Sequence, residues 1–109
     1  MPEMNSTIQS ELDFITASII ANTAPESIYL FGSYASGTPN ADSDIDIYVV
    51  VPDSETDTIG LCTKIRLDLS RKKIRPIDLL IGRKSKFENR KNRLTMENII
   101  ADKGIKIYG

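Results

Sequence analysis

The sequence predicts an α/β domain, and three observations carry that prediction. A one-faced helical stripe opens the chain, short β-prone apolar runs follow it, and stretches of helical pattern or turn-forming residues separate those runs. The length of 109 residues suits one domain spanning 1–109. A hydrophobic fraction of 40% against 27% charged is enough for a core and argues against disorder.

Ser6 and Gln9 have the spacing of a capping box, and Ile8, Leu12, Ile15 and Ile19 then fall on one face of a helix over roughly 7–22. Pro25 lies in the break after it, and Ser27 to Phe31 reads as a strand. Gly32 to Ser43, rich in Gly, Pro, Asn and hydroxyls, is a turn-rich connection. Asp44 to Val51 is a second strand, ended by Pro52.

Asp53 to Asp57 offers N-caps for a helix whose face is Ile59, Cys62, Ile65 and Leu69. Arg71-Lys72-Lys73 closes it where the dipole favours cations. Arg75 to Ile81 is a third strand, with Pro76 near its start where a missing N–H is tolerated. The basic stretch 83–93 is helical in part. Thr95 to Lys103 is a last helix with Gly104 as C′, and Ile105 to Tyr108 is a short strand.

Net charge is −1, so attraction to a phosphate-bearing partner has to be local, and no global nucleic-acid or membrane signal exists. His is absent, which excludes the commonest general base, Ser-His triads and His-ligated zinc. The lone Cys62 forbids an internal disulfide, fits a reducing compartment and reads as a core thiol. With no membrane-spanning apolar run and no signal-type N-terminus, the expected location is the cytoplasm.

Two aspartates interrupt the second strand, although Asp is depleted in strands and a buried carboxylate is costly unless paired. Alternation puts Asp44 and Asp46 on one face, ~7 Å apart along the chain, with Ile45 and Ile47 on the other. Like charges so placed oppose folding, and a divalent cation reverses the sign of that interaction. Mg²⁺ suits such carboxylates together with substrate phosphates. Asp78 interrupts the third strand, and if the two strands are neighbours it joins the pair. Three carboxylates then suit two Mg²⁺ ions about 4 Å apart. Gly32 allows close backbone approach, and Ser33 can donate to a phosphate.

Gly32-Ser33, ten residues, then Asp44-Ile45-Asp46-Ile47 resembles the signature of the DNA polymerase β-type nucleotidyltransferase superfamily. GSYASG, SDIDIYVVV, RPIDLLI and the ending through Tyr108 resemble its minimal nucleotidyltransferases (MNT), often encoded beside HEPN-domain proteins as toxin–antitoxin pairs. The resemblance implies a nucleotidyltransferase fold with a mixed β-sheet of three to four strands flanked by helices. It implies ATP or another nucleotide triphosphate bound at Gly32, Ser33 and Ser36, the last standing where many relatives carry a basic phosphate contact. It also implies metal binding and catalysis by Asp44, Asp46 and Asp78, the last assisting deprotonation of the acceptor.

The expected activity is transfer of a nucleoside monophosphate, AMP from ATP, to a hydroxyl of a HEPN-domain partner, with the chain as antitoxin in a homo- or hetero-oligomer. Two alternatives stand beside it. One is a binding module that blocks the toxin by contact, which Ser36 keeps in view. The other is transfer to a small molecule such as an aminoglycoside, with a homodimer supplying the pocket. Asp44 and Asp46 could also be polar residues of a solvent-facing strand, and Asp78 an edge-strand acid paired with Arg75 or Arg83. The run GRKSKFENRKNR is read first as a solvated helix face and second as a positive rim for phosphate, RNA or an acidic partner. Among the tyrosines, Tyr34 in the loop is the expected exposed aromatic.

Overall fold

The computed structural model describes residues 6–40 and 42–109, with side chains from Ile8 onward; the expected Ser6 cap therefore lies outside the described side chains. The chain runs α1 (Ser6–Asn22), β1 (Ser27–Phe31), α2 (Ser33–Ser36), β2 (Ile45–Val51), α3 (Thr58–Leu69), β3 (Ile77–Arg83), α4 (Lys84–Arg90), α5 (Met96–Lys103) and β4 (Ile105–Tyr108). Four strands form one mixed sheet in the order β3-β2-β1-β4. β1 is antiparallel to both β2 and β4, whereas β2 and β3 run parallel. A parallel pair requires a crossover, and α3 supplies it.

Alternation along the strands gives the sheet two different faces. Ile45, Ile47, Val49 and Val51 of β2 join Ile28 and Leu30 of β1 under α1 and α3, where Ile8, Leu12, Ile15 and Ile19 form the expected stripe. On the opposite face Tyr48 and Val50 pack under Phe87 of α4 and Ile100 of α5. Helices thus flank the sheet on both sides.

Three local expectations need correction. The buried face of α3 is Leu61, Ile65 and Leu69, whereas Ile59 is 82% exposed and Cys62 only half-buried. Asp57 caps this helix by accepting from the Gly60 N–H at 2.9 Å, and from that start the 61-65-69 row faces the sheet. Gly104 ends α5 with extended backbone (φ −72°, ψ 159°), not as a left-handed C′. Glycine is needed there because a Cβ would press on the Ile100 carbonyl. Tyr34 is half-buried and packs against the main core, so it is not a loop aromatic offered to solvent. Among the described residues, no helix is long and apolar enough to cross a membrane.

Candidate active site

Asp46 and Asp78 are direct partners in the β2–β3 ladder, so their carboxylates project side by side from adjacent strands. They share the face of Tyr48 and Val50, but α4 and α5 cover only those deeper residues. Asp46 is consequently half-buried and Asp78 exposed. Asp44 is exposed and lies one residue ahead of β2, not inside it. The Ile45 N–H donates to the Pro76 carbonyl at 2.9 Å and holds this end of β2 against the approach to β3. Upstream, the Ser43 N–H donates to the Asn40 carbonyl and the Ser43 hydroxyl accepts from the Asn40 N–H, so the turn entering Asp44 is closed on itself.

On the other side of Asp46 comes β1. Phe31 pairs with Asp46, and the next residue, Gly32, turns the chain with φ 73°. A Cβ at Gly32 would land on the Asp46 carboxylate. Backbone and acid approach this closely only because the side chain is missing. Ser33 opens α2, and no hydrogen bond to its hydroxyl is found among the described residues. Ser36 is engaged differently. Its hydroxyl lies 3.2 Å from the Ser33 carbonyl and 2.8 Å from the Thr38 hydroxyl, so it closes the turn.

The electrostatics follow from this placement. Burial pushes the Asp46 carboxyl above its ordinary value, and the negative charges of Asp78 and then Asp44 push it further. Among the described residues, none of the three accepts a hydrogen bond or pairs with a cation. Arg75, a suggested partner of Asp78, is taken by Glu11 through both its backbone N–H and its guanidinium. A simple solvent-facing strand is also excluded, because Tyr48 and Val50 on the same face are buried.

Among the described residues, no three acid, thiol or imidazole side chains are grouped tightly enough to cage an ion by themselves. Mg²⁺ characteristically keeps several waters and is held by one or two carboxylates plus substrate phosphates. The adjacent, cation-free Asp46 and Asp78 fit that role chemically. A cleft of about 450 Å³ lies elsewhere, around Phe14, Lys72 and Arg75, so concavity alone would not have selected the aspartate face.

One arrangement behind the candidate site leaves no motif in the sequence. The Tyr48 hydroxyl donates to Glu97 Oε2 at 3.1 Å, and Arg90 Nε donates to Glu97 Oε1 at 3.0 Å. Burial acts to raise the Glu97 carboxyl. Hydrogen bonds from Arg90, its own backbone and Tyr48 outweigh that and hold it below the usual range. Burial, and then the Glu97 charge, push the Tyr48 phenol far up. The network fastens α4 and α5 over the sheet next to the aspartates. Only alternation, which puts Tyr48 on the face of Asp46, hinted at it.

The family model described as polymerase β nucleotidyltransferase matches residues 9–108. The chain belongs to that nucleotidyltransferase family. No curated protein matches significantly. Among solved structures, a Sulfolobus solfataricus protein described as a candidate nucleotidyltransferase is 18% identical, with TM-score 0.54 over 97% of this chain and 89% of that one. A chain of a toxin–antitoxin complex crystallised with AMP-PNP is 24% identical, with TM-score 0.56 over 89% of this chain and 72% of that one. At these identities the two structures establish the shared fold, with its mixed sheet and flanking helices.

Proposed function

We propose that this nucleotidyltransferase domain transfers AMP from ATP to a hydroxyl of a HEPN-domain partner protein in the cytoplasm, acting as the antitoxin of a toxin–antitoxin pair. The observation that carries the transferase reading is the in-register Asp46–Asp78 pair, unneutralised and set against the Gly32 backbone. The partner reading is supported by the likeness to the toxin–antitoxin chain crystallised with AMP-PNP.

Asp46, Asp78 and Asp44 would hold one or two Mg²⁺ ions together with the triphosphate. When bound, magnesium neutralises charge on the phosphates and lowers the pKa of a coordinated hydroxyl. The chain's own groups do the rest. Gly32 lets the backbone approach the triphosphate, and the Ser33 hydroxyl donates to a phosphate oxygen. Asp78, exposed at the rim, accepts the acceptor's proton. The acceptor oxygen then bonds to the α-phosphorus as the bond to the bridging oxygen breaks and pyrophosphate leaves. Positioning and electrostatics supply the acceleration without a covalent enzyme intermediate.

A second reading, neutralisation by contact alone, draws on Ser36, whose hydroxyl closes its own turn where a cationic phosphate contact would strengthen catalysis. The test incubates this chain and the HEPN-domain protein with ATP and Mg²⁺ and weighs the partner by mass spectrometry. The expected result is one added AMP, lost in Asp46→Asn. No added mass, combined with an Asp44→Asn variant that still neutralises the toxin, would reject transfer in favour of contact.

A further inference from the structure

The basic stretch after β3 is absorbed only in part by the fold. Phe87 is core, and Arg90 serves Glu97. Lys84 and Lys91 instead line a cleft of about 380 Å³ between α4, α5 and the β1–β4 edge, together with Lys106 of β4. Three ammonium groups, from α4, its C-cap and β4, therefore face one hollow. Glu88 sits among them: its carboxylate pairs with Lys91 at 2.5 Å, and Lys84 and Lys106 also lie within its electrostatic reach. Lys84 further touches Glu26 at 3.4 Å, and Lys106 lies 5.8 Å from the centre of the Tyr29 ring.

A second, independent observation comes from the sheet. Ser27 lines the same cleft and is only 8% exposed, on the face that carries Tyr29. No hydrogen bond to its hydroxyl is found among the described residues. A hydroxyl that opens onto the cleft with no protein partner among the described residues, beside three ammonium groups, is a donor set for an oxyanion. Glu88 then occupies the position that an incoming anion would take.

We infer that the cleft bounded by Ser27, Lys84, Lys91 and Lys106 is a second site on this domain, and that it binds a dianionic phosphate group in exchange for the Glu88 carboxylate. It is separate from the aspartates. Ser27 lies four residues along β1 from the Asp46 row, about 13 Å away, with Phe87 between. A phosphate monoester suits the mixture of charge and hydroxyl better than an aromatic ligand, because Phe87 is buried and Lys106 already covers the Tyr29 ring.

The experiment titrates inorganic phosphate and, in a second arm, AMP into the Asp44→Asn/Asp46→Asn double variant without magnesium, followed by amide NMR. Removing the aspartates makes the outcome independent of the transferase reading. Saturable shifts at Ser27, Lys84, Glu88, Lys91 and Lys106 are expected in both arms. Lys84→Gln and Lys106→Gln should each weaken binding by about tenfold, the value of one charge-assisted hydrogen bond. Glu88→Gln should tighten it, and since that carboxylate is exposed, the variant is expected to keep the parent spectrum elsewhere. Shifts that fail to saturate, that chloride reproduces at equal ionic strength, or that weaken in Glu88→Gln would overturn the site. So would AMP binding with inorganic phosphate silent.

Discussion

Asp46 and Glu97 lie on the same side of the sheet and meet opposite fates. Glu97 is buried, and the chain answers its charge in full: Tyr48 and Arg90 donate to its two oxygens, and its carboxyl is held below the usual range. Asp46 is half-buried and, among the described residues, is answered by nothing except two more acids; burial first, and then their charges, drive its carboxyl up. A carboxylate that the fold satisfies is part of the fold. One left repelled by its neighbours destabilises the free protein and becomes favourable only when something from outside arrives. The contrast separates scaffold from candidate site without reference to any relative.

The largest effect that would sharpen this contrast is on activity. Asp46→Asn should lower AMP transfer by about 10³-fold or more, as expected when several kcal/mol of charge stabilisation are removed. In chelator at neutral pH the same variant should melt at a higher temperature than the parent, because it removes both the burial penalty and the repulsion. A lower melting point would break the contrast.

Gly32→Ala should come next. A methyl group meets the Asp46 carboxylate at a backbone angle that L-residues avoid, so transfer should fall by about 10²-fold and stability by about 1–3 kcal/mol in urea denaturation.

Glu97→Gln should act the other way round. It leaves the buried Tyr48 hydroxyl and Arg90 poorly answered and should cost about 1–3 kcal/mol of stability, with a much smaller change in transfer per folded molecule. The smallest effect is on pH dependence. Because the folded Glu97 carboxyl lies below its ordinary value near 4.5, its contribution is fully present above that value and is lost as pH falls through the lower folded value. Glu97→Gln should therefore flatten the acid limb of a stability–pH curve. An unchanged limb would mean that Glu97 is not held by its network.

Much of this was legible beforehand, for reasons that particular residues make plain. The strands 27–31 and 105–108 were placed to the residue, because turn formers or glycine bound short β-prone runs. Asp46 and Asp78 were readable as exceptions to β composition, and the parallel register then made them neighbours. The face of α3 is ambiguous in the sequence because rows 59-62-65-69 and 61-65-69 are both apolar, and only the cap at Asp57 and docking against the sheet choose between them. Phe87 looked isolated in a basic run, yet its ring stacks on Tyr29 at 5.5 Å and lies equally close to Tyr48. Contacts between elements so far apart in sequence leave no periodic trace. The Glu97 network was invisible for the same reason.

The crossover through α3 has a consequence for heat resistance. Asp46 and Asp78 belong to strands that the chain must leave and re-enter before their acids can meet, so a denatured molecule has no equivalent coordination point. An ion or nucleotide that settled there would be held by the native form alone, and mass action would then couple melting to supply. The durability of this small domain would then be a property shared with its surroundings.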